Sequence, residues 1–338
     1  MASTTTAWQW TTIIDGKLEK SLSLNHDVPI PDKSKLTPDQ LLVEVIAAAV
    51  NPVDYKAPES GWIGNLLIRG RPATPGLDFC GRIIAKHESN SSFSEGQLVF
   101  GAYAKVAQFG TLSRCITISV NECAPLPEGI NPNDAAAVGC AATTALQSVP
   151  SSLVKPGSRV FINGGSGGVG FYTIQFAKAL SAEVTTTCST GNIELCKSLG
   201  ADRVIDYTKT DVMAALKEGG PVYDLVVDNV GNLDLSRQSH MFMKKGAAFM
   251  QVGVNSINAR DMVTVFGKML WPGSTFRFIQ MKNEAALFAQ IGKYMAEGKV
   301  RAVIDEIFEF EDVPRAYEKL KTGHARGKIV IQVNKESM

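Results

Sequence analysis

Arg159-Val-Phe-Ile-Asn-Gly-Gly-Ser-Gly-Gly-Val-Gly170 is the stretch on which the fold turns. A short apolar run over 159–163 ends in a glycine cluster. Residues 168–180 then offer Val169, Ile174, Phe176, Ala177 and Leu180 as the packing face of a helix. The spacing G-x-G-x-x-G falls on Gly165, Gly167 and Gly170, directly after a strand and at the opening of a helix. In that context the glycines permit a tight turn and close approach of the backbone to a pyrophosphate. The helix N-terminus supplies free N–H groups and the positive end of its dipole. Gly165, Ser166, Gly167, Gly168, Val169 and Gly170 are therefore the expected dinucleotide-binding loop; the competing reading is a merely structural strand–helix turn.

Working outward, strands are expected over 183–188, 203–206, 223–229 and 247–252, with a helix over 192–199 and helix-like stretches between the later strands. Such alternation argues for a parallel sheet with helices on both faces. Residues 283–297 read as an amphipathic helix through Leu287, Phe288, Ile291, Tyr294 and Met295. The tail, 304–333, returns to short strands and one helix.

Upstream the texture differs. Up to about Asn121, Gly and Pro punctuate short β-rich runs (41–47, 79–85, 97–101, 115–120), which predicts a mostly β, barrel-like domain. A helix over 134–149 leads out of it.

The whole chain has 338 residues, 45% hydrophobic and 20% charged, with 34 Lys+Arg against 33 Asp+Glu. That length suggests about two domains. A net charge of +1 gives no electrostatic reason to expect a nucleic acid. Residues 43–50 fall far short of the roughly 20 apolar residues of a membrane span. The N-terminus lacks the basic and apolar regions of a secretory signal. Cys80, Cys115, Cys123, Cys140, Cys188 and Cys196 form no C-x-x-C pair, so they read as reduced thiols of a cytoplasmic protein.

The choice of dinucleotide rests on the end of the second strand. An NAD-preferring site places an acid about 20 residues beyond the loop. Here Thr185-Thr-Thr-Cys-Ser-Thr-Gly-Asn192 contains none, and Ser189, Thr190 and Asn192 can donate hydrogen bonds to a 2′-phosphate. NADPH is the expected cofactor, although the window holds no Arg or Lys.

The chain resembles the zinc-independent medium-chain dehydrogenase/reductases, in their quinone oxidoreductase-like and alkenal/enone reductase branch. Asn51-Pro-Val-Asp-Tyr-Lys56 looks like that branch's N-P-x-D segment. Pro75-Gly-Leu-Asp-Phe-Cys-Gly81 looks like its P-G-x-D-x-x-G segment, and Gly96-Gln-Leu-Val-Phe-Gly101 like its G-D-x-V-x-G turn. Segments 188–207, 298–305 and 323–330 extend the match over nearly the whole chain. The resemblance implies an α/β architecture: a GroES-like, mostly β catalytic domain from residues 1–127 and 281–338, and a Rossmann doubly wound parallel-sheet domain from 128–280, with the nicotinamide in the cleft between them. It also implies that Thr144, Ser189, Tyr207, Asn229 and Lys328 touch the cofactor, Ser189 and Tyr207 near the 2′-phosphate. One departure is that many NADPH-using relatives carry a Lys shortly after the Ser189 position, where 192–195 offers none.

No metal is expected. Zinc relatives carry Gly-His-Glu where this chain has Gly76-Leu77-Asp78, and residues 49–54 lack the first catalytic Cys. A structural zinc lobe needs four closely spaced thiolates. His87 and Glu88 read as a surface turn, and the four histidines share no ligand spacing. A P-loop Lys and a His-Glu zincin helix are also absent.

Without a metal, the simplest hydride reaction is 1,4-addition to an electron-poor double bond, with charge developing on the carbonyl oxygen. That needs positioning and a hydrogen-bond donor. Tyr55 and Lys56 are the candidate donors, beside Asn51, which reads chiefly as a loop-shaping residue. Tyr55 reads equally as a packed aromatic, and Lys56 as a solvated lysine. Phe276, Arg277 and Phe278 are expected to line the cleft, Phe278 on the cofactor. Trp62, Leu66, Leu67, Phe266, Met269 and Trp271 point to an apolar, bulky, uncharged electrophile. A homodimer pairing an edge strand around 273–280 is expected by analogy.

The expected activity is thus NADPH-dependent reduction of an enone, enal or quinone without zinc. Two alternatives stand beside it: a trans-acting biosynthetic enoyl reductase on a pathway intermediate, and a non-catalytic NADPH-binding structural protein.

Overall fold

The computed structural model describes residues 4–253, 267, 275–279 and 281–335. The chain divides into two compact units, Met1–Thr143 with Lys282–Met338, and Thr144–Met281. Both chain ends thus contribute to the first unit. The first crossing lies at 143/144 and not at 127/128, because the helix Pro132–Ala136 packs against strands of the first unit.

The first unit opens with a hairpin of β1 (Thr4–Gln9) and β2 (Ser23–Pro29), followed by β3 (Gln40–Val50), β4 (Asp78–Lys86), β5 (Leu98–Ala102), β6 (Cys115–Ser119) and β7 (Cys123–Pro125). The second unit holds β8 (Arg159–Asn163), β9 (Glu183–Cys188), β10 (Arg203–Asp206), β11 (Tyr223–Asp228), β12 (Met243–Gln251) and β13 (Phe276–Phe278). The chain then returns to the first unit with β14 (Ile304–Glu309) and β15 (Lys328–Gln332).

Seven strands make the sheet of the first unit, in the order β14-β15-β3-β4-β5-β7 with β6 also on β3. The C-terminal β15 pairs antiparallel with β3, Ile329 opposite Val50 and Gln332 opposite Ala47. This pairing sews the chain's end into the N-terminal sheet. Nine of the eleven β3 residues, all but Gln40 and Glu44, are apolar, and its Val43, Val45, Ala48 and Val50 join Phe79, Val99, Ile329 and Ile331 in one buried core.

Within this mostly β unit two helices that the sequence reading did not anticipate, Pro52–Glu59 and Trp62–Leu67, follow β3. Asn51 caps the first of these, Pro52 occupies its opening turn, and Asp54 completes a reciprocal capping box. The expected single helix 134–149 is likewise two, Pro132–Ala136 and Gly139–Ser148.

In the second unit every strand pairing is parallel, in the order β10-β9-β8-β11-β12-β13. That is the doubly wound Rossmann order, and the direction of winding reverses between β8 and β11. Arg159–Asn163, Glu183–Cys188 and Arg203–Asp206 coincide with the expected strands. Phe161, Val226, Phe242 and Phe249 fill the core beneath. No helix among the described residues is long and apolar enough to cross a membrane.

Candidate active site: a dinucleotide loop and a buried polar cluster

The glycine loop leaves β8 at its C-terminal end and enters the helix Gly170–Ala179. A methyl group on Gly165 would lie 2.1 Å from Thr186 Oγ1, and one on Gly170 would lie 2.0 Å from the Gly164 carbonyl oxygen. Both glycines are required by the turn's own packing. Gly167 differs: a methyl there comes no closer than 3.6 Å to Gly164 O, and the residue is exposed. It is the glycine whose missing side chain leaves room for something other than protein, which matches the role of the middle glycine beneath a pyrophosphate.

Buried polar atoms without partners surround this loop. Both amide atoms of Asn229 are sealed from solvent and unbonded among the described residues, as is Oδ1 of Asn192. Burying an amide unpaired costs free energy, so Asn229 fits a site completed by a ligand. Asn192 Nδ2 donates to Ser166 Oγ and to Ser189 Oγ, each at 3.2 Å. Ser166, Ser189 and Asn192 thus form one polar patch at the ends of β8 and β9. Tyr207 follows β10; its N–H donates to the Cys188 carbonyl at 3.1 Å and its ring is exposed.

An acid does reach this region, from the neighbouring strand. The Asp206 carboxylate accepts from Thr190 Oγ1 at 2.5 Å and from Thr208 Oγ1 at 2.6 Å. Those hydrogen bonds, Thr190's first, hold its carboxyl below the usual range. No linear window after the loop contains this contact.

Phe278 is half-buried against the core of the second unit and stands opposite Gln251 in the β12–β13 pairing. Phe276 stacks on Phe249 with ring centroids 5.6 Å apart. Thr144 is half-buried in the helix Gly139–Ser148. Phe266, Met269 and Trp271 lie outside the described residues.

The remaining expected site residues belong to the first unit. Asn51 is buried and its amide Nδ2 donates to Asp78 Oδ2 at 2.9 Å. Lys328 Nζ donates to Asn51 Oδ1 and pairs with Asp78 Oδ2 at 3.1 Å. The backbone N–H of Cys140 donates to the other oxygen, Asp78 Oδ1, at 2.8 Å. Lys328, expected on the cofactor, is therefore held inside this cluster. Asp54 donates nothing to it but caps its edge: the Asn51 N–H donates to Asp54 Oδ2 at 2.7 Å. Burial, reinforced by the Asp78 charge, pushes the Asp54 carboxyl up to about 8.

Tyr55 packs partly buried against the core, with the Lys321 ammonium 5.0 Å from its ring centroid. Lys321 is itself ion-paired with Glu19 and Glu59. Burial raises the Tyr55 phenol above its ordinary value. Lys56 is exposed on the same helix. Sequence reasoning singled out Asn51, Tyr55 and Lys56, which the structure places at the start of one helix, but it missed the Asp78–Lys328 partnership that fixes Asn51. Trp62, Leu66 and Leu67 stand exposed on the next helix, Trp62 at 76%.

Comparison with known proteins agrees with this architecture. Residues 37–151 match the family described as alcohol dehydrogenase GroES-like domain, and residues 199–331 the family described as zinc-binding dehydrogenase. The trans-enoyl reductase pgmF of Aspergillus terreus is 42% identical over 98% of this chain and 97% of its own. The 2-methylene-furan-3-one reductase of Solanum lycopersicum is 32% identical over 96% of this chain and 78% of its own. The quinone oxidoreductase structure from Coxiella burnetii superimposes with a TM-score of 0.85 at 30% identity, covering 98% of this chain and 100% of that one. With its two-unit build, its Rossmann strand order and a glycine loop between β8 and the helix Gly170–Ala179, the chain belongs to the medium-chain dehydrogenase/reductase superfamily, as an oxidoreductase of the quinone and enoyl reductase branch.

Proposed function

We propose that the protein uses NADPH to reduce the conjugated double bond of an enone or enal, or a quinone, without zinc. The observation that carries this reading is the Asp78–Lys328 pair. Asp78 stands where zinc relatives have Glu, and here its carboxylate already has a buried ammonium as its cation at 3.1 Å. A conjugated substrate is electrophilic enough to accept hydride without a metal, and needs only positioning and a donor at its oxygen. When bound, the nicotinamide supplies the hydride.

The chain's residues do the rest. The loop 165–170 offers backbone N–H groups and a helix N-terminus to the pyrophosphate. Ser166, Ser189 and Asn192 offer hydroxyl and amide donors to a 2′-phosphate, while Asp206 is turned onto Thr190 and Thr208. Asn229 holds an unpartnered amide ready for the cofactor. Tyr55 is the proposed donor to the substrate oxygen, and exposed Lys56 stabilises the enolate electrostatically.

The resemblance to a trans-enoyl reductase at 42% identity favours a second reading, in which the substrate is an enoyl chain supplied by another enzyme. Exposed Trp62, Leu66 and Leu67 suit a long apolar substrate. The chain carries six free cysteines, in keeping with a cytoplasmic enzyme. A homodimer through β13, last in its sheet order among the described residues, is checked by sedimentation.

The test is NADPH consumption by purified protein against small enals, cyclic enones, quinones and long-chain enoyl thioesters, with NADH run in parallel. Turnover of free enones or quinones supports the main reading. Turnover confined to the enoyl thioesters supports the second. Equal use of NADH overturns the cofactor preference, and no turnover of any acceptor overturns both readings.

A further inference from the structure

The carboxylate of Asp228, at the C-terminal end of β11, is fully buried and accepts five hydrogen bonds. Oδ1 takes the N–H groups of Val230 (3.0 Å) and Gly231 (3.1 Å) and the Asn163 side-chain amide (2.9 Å). Oδ2 takes the Asn232 N–H (2.7 Å) and the Gln251 side-chain amide (3.0 Å). The bonds leave in three directions, one of them to Gln251 on β12. Three go to the turn that follows β11, where Asn229 sits with both amide atoms unpartnered. The bond to Asn163 continues through the sheet: Thr187 Oγ1 donates to Asn163 Oδ1 at 2.7 Å and accepts the Gly164 N–H at 2.8 Å. Thr187 also accepts the Gly165 N–H on its carbonyl at 2.9 Å.

One carboxylate therefore ties together the ends of β8, β9, β11 and β12, at the point where the winding of the sheet reverses. Ligands of such sheets bind outside that point. The glycine loop and the Asn229 turn are thus joined by a continuous relay of hydrogen bonds through Thr187, Asn163 and Asp228. Preorganised sites bind more tightly because less ordering remains to be done on binding.

We propose that Asp228 is a positioning residue for the dinucleotide site. It acts through Asn163 and Thr187 on the glycine loop, and through the 230–232 amides on Asn229. The proposal rests on the nicotinamide-binding reading of the second unit. It separates two parts of that site: the loop backbone and the Asn229 turn hang on Asp228, whereas the side-chain bonds of Asn192 to Ser166 and Ser189 are made without it.

The experiment measures equilibrium binding of NADPH and of its adenosine fragment 2′-AMP, with NADH and AMP in parallel, to wild type and two variants. Asp228→Asn replaces one acceptor oxygen by a donor facing donors. Thr187→Val keeps volume and cuts only the link between Asn163 and Gly164. Each variant is expected to weaken the dinucleotide by roughly tenfold, the weight of one lost hydrogen bond to a charged or buried group, while fragment affinity stays within about twofold. The double variant should be less than additive, because both changes cut one relay. Unchanged dinucleotide affinity in Thr187→Val overturns the proposal, as does equal weakening of dinucleotide and fragment. Should Asp228→Asn fail to fold, Thr187→Val alone decides. Wild type that binds neither dinucleotide overturns the underlying cofactor reading together with the proposal.

Discussion

Lys328 Nζ lies 3.1 Å from Asp78 Oδ2, with the two side chains 4% and 0% exposed. The two residues come from opposite ends of the chain and meet because β15 and β4 flank β3 on either side. Asn51 Nδ2 and the Cys140 N–H also donate to Asp78, and Lys328 Nζ also donates to Asn51 Oδ1 and to the Val50 carbonyl. The cluster is thus both the seam of the first unit and the ground on which the helix Pro52–Glu59 stands.

Removing one member of a buried pair leaves the other charge without compensation. Lys328→Met should destabilise the protein by about 3–5 kcal/mol, and Lys328→Met with Asp78→Asn should recover most of that loss. Urea unfolding of the two single variants and the double variant checks it. A Lys328→Met protein of normal stability but weakened NADPH binding would return Lys328 to the cofactor.

The glycines of the loop separate stability from binding. Gly170→Ala forces a methyl against the Gly164 carbonyl at 2.0 Å and should cost roughly 1–3 kcal/mol of stability. Gly167→Ala meets nothing of the protein nearer than 3.6 Å, so its unfolding should stay within about 0.5 kcal/mol of wild type. Its dinucleotide affinity should nevertheless fall at least about tenfold, the weight of one charge-assisted hydrogen bond. Thermal melts and a binding titration distinguish the pair.

Asn192→Asp tests the 2′-phosphate assignment. The new carboxylate would sit beside the Ser166 and Ser189 hydroxyls that Asn192 now reaches at 3.2 Å. Like charges in apposition cost several kcal/mol. The ratio of kcat/KM for NADPH over NADH should fall at least about tenfold, and an unchanged ratio would move the 2′-phosphate elsewhere.

Tyr55→Phe removes the proposed donor while leaving its ring on the core and beneath Lys321. A general acid contributes roughly a hundredfold or more, so kcat should drop on that order with NADPH affinity unchanged. Normal turnover would leave Tyr55 as a packing residue alone.

What could be read in the sequence follows from how local each signal is. Strand β8 is legible because a strand buried in a parallel sheet reads as an apolar run with sharp ends, and β9 and β10 because β-branched Val184, Thr185, Thr186, Thr187, Val204 and Ile205 gather in them. The glycine loop is legible because its whole pattern falls on six consecutive residues. The helix Pro52–Glu59 carries a local signal of its own, Asn51 and Asp54 at capping-box spacing with Pro52 between them. Asp228 and Asn163 had no such signal. They stand 65 residues apart, and only the parallel pairing of β8 with β11 brings their side chains together. Asp206 is hidden in the same way, reaching Thr190 across the β9–β10 pairing.

Asp54 gives the clearest pH signature. Its carboxyl is ordinary, near 3.8, in an open chain and is raised to about 8 in the fold, chiefly by burial and then by the Asp78 charge. Between those two values the folded state keeps a proton that the unfolded chain has released. Stability therefore falls as pH rises through that window and levels off above it, the reverse of a salt-bridged carboxylate. The slope contributed by this one group reaches about 1.4 kcal/mol per pH unit. Asp54→Asn cannot ionise, yet its amide oxygen can still accept the Asn51 N–H that now meets Oδ2. Its unfolding free energy should consequently lose this slope, so the gap between variant and wild type should narrow, or turn in the variant's favour, from about pH 5 to about pH 8. Urea unfolding across that range reads the difference directly. Parallel curves for the two proteins would mean that Asp54 is ionised throughout and that Lys328 compensates both carboxylates of the cluster.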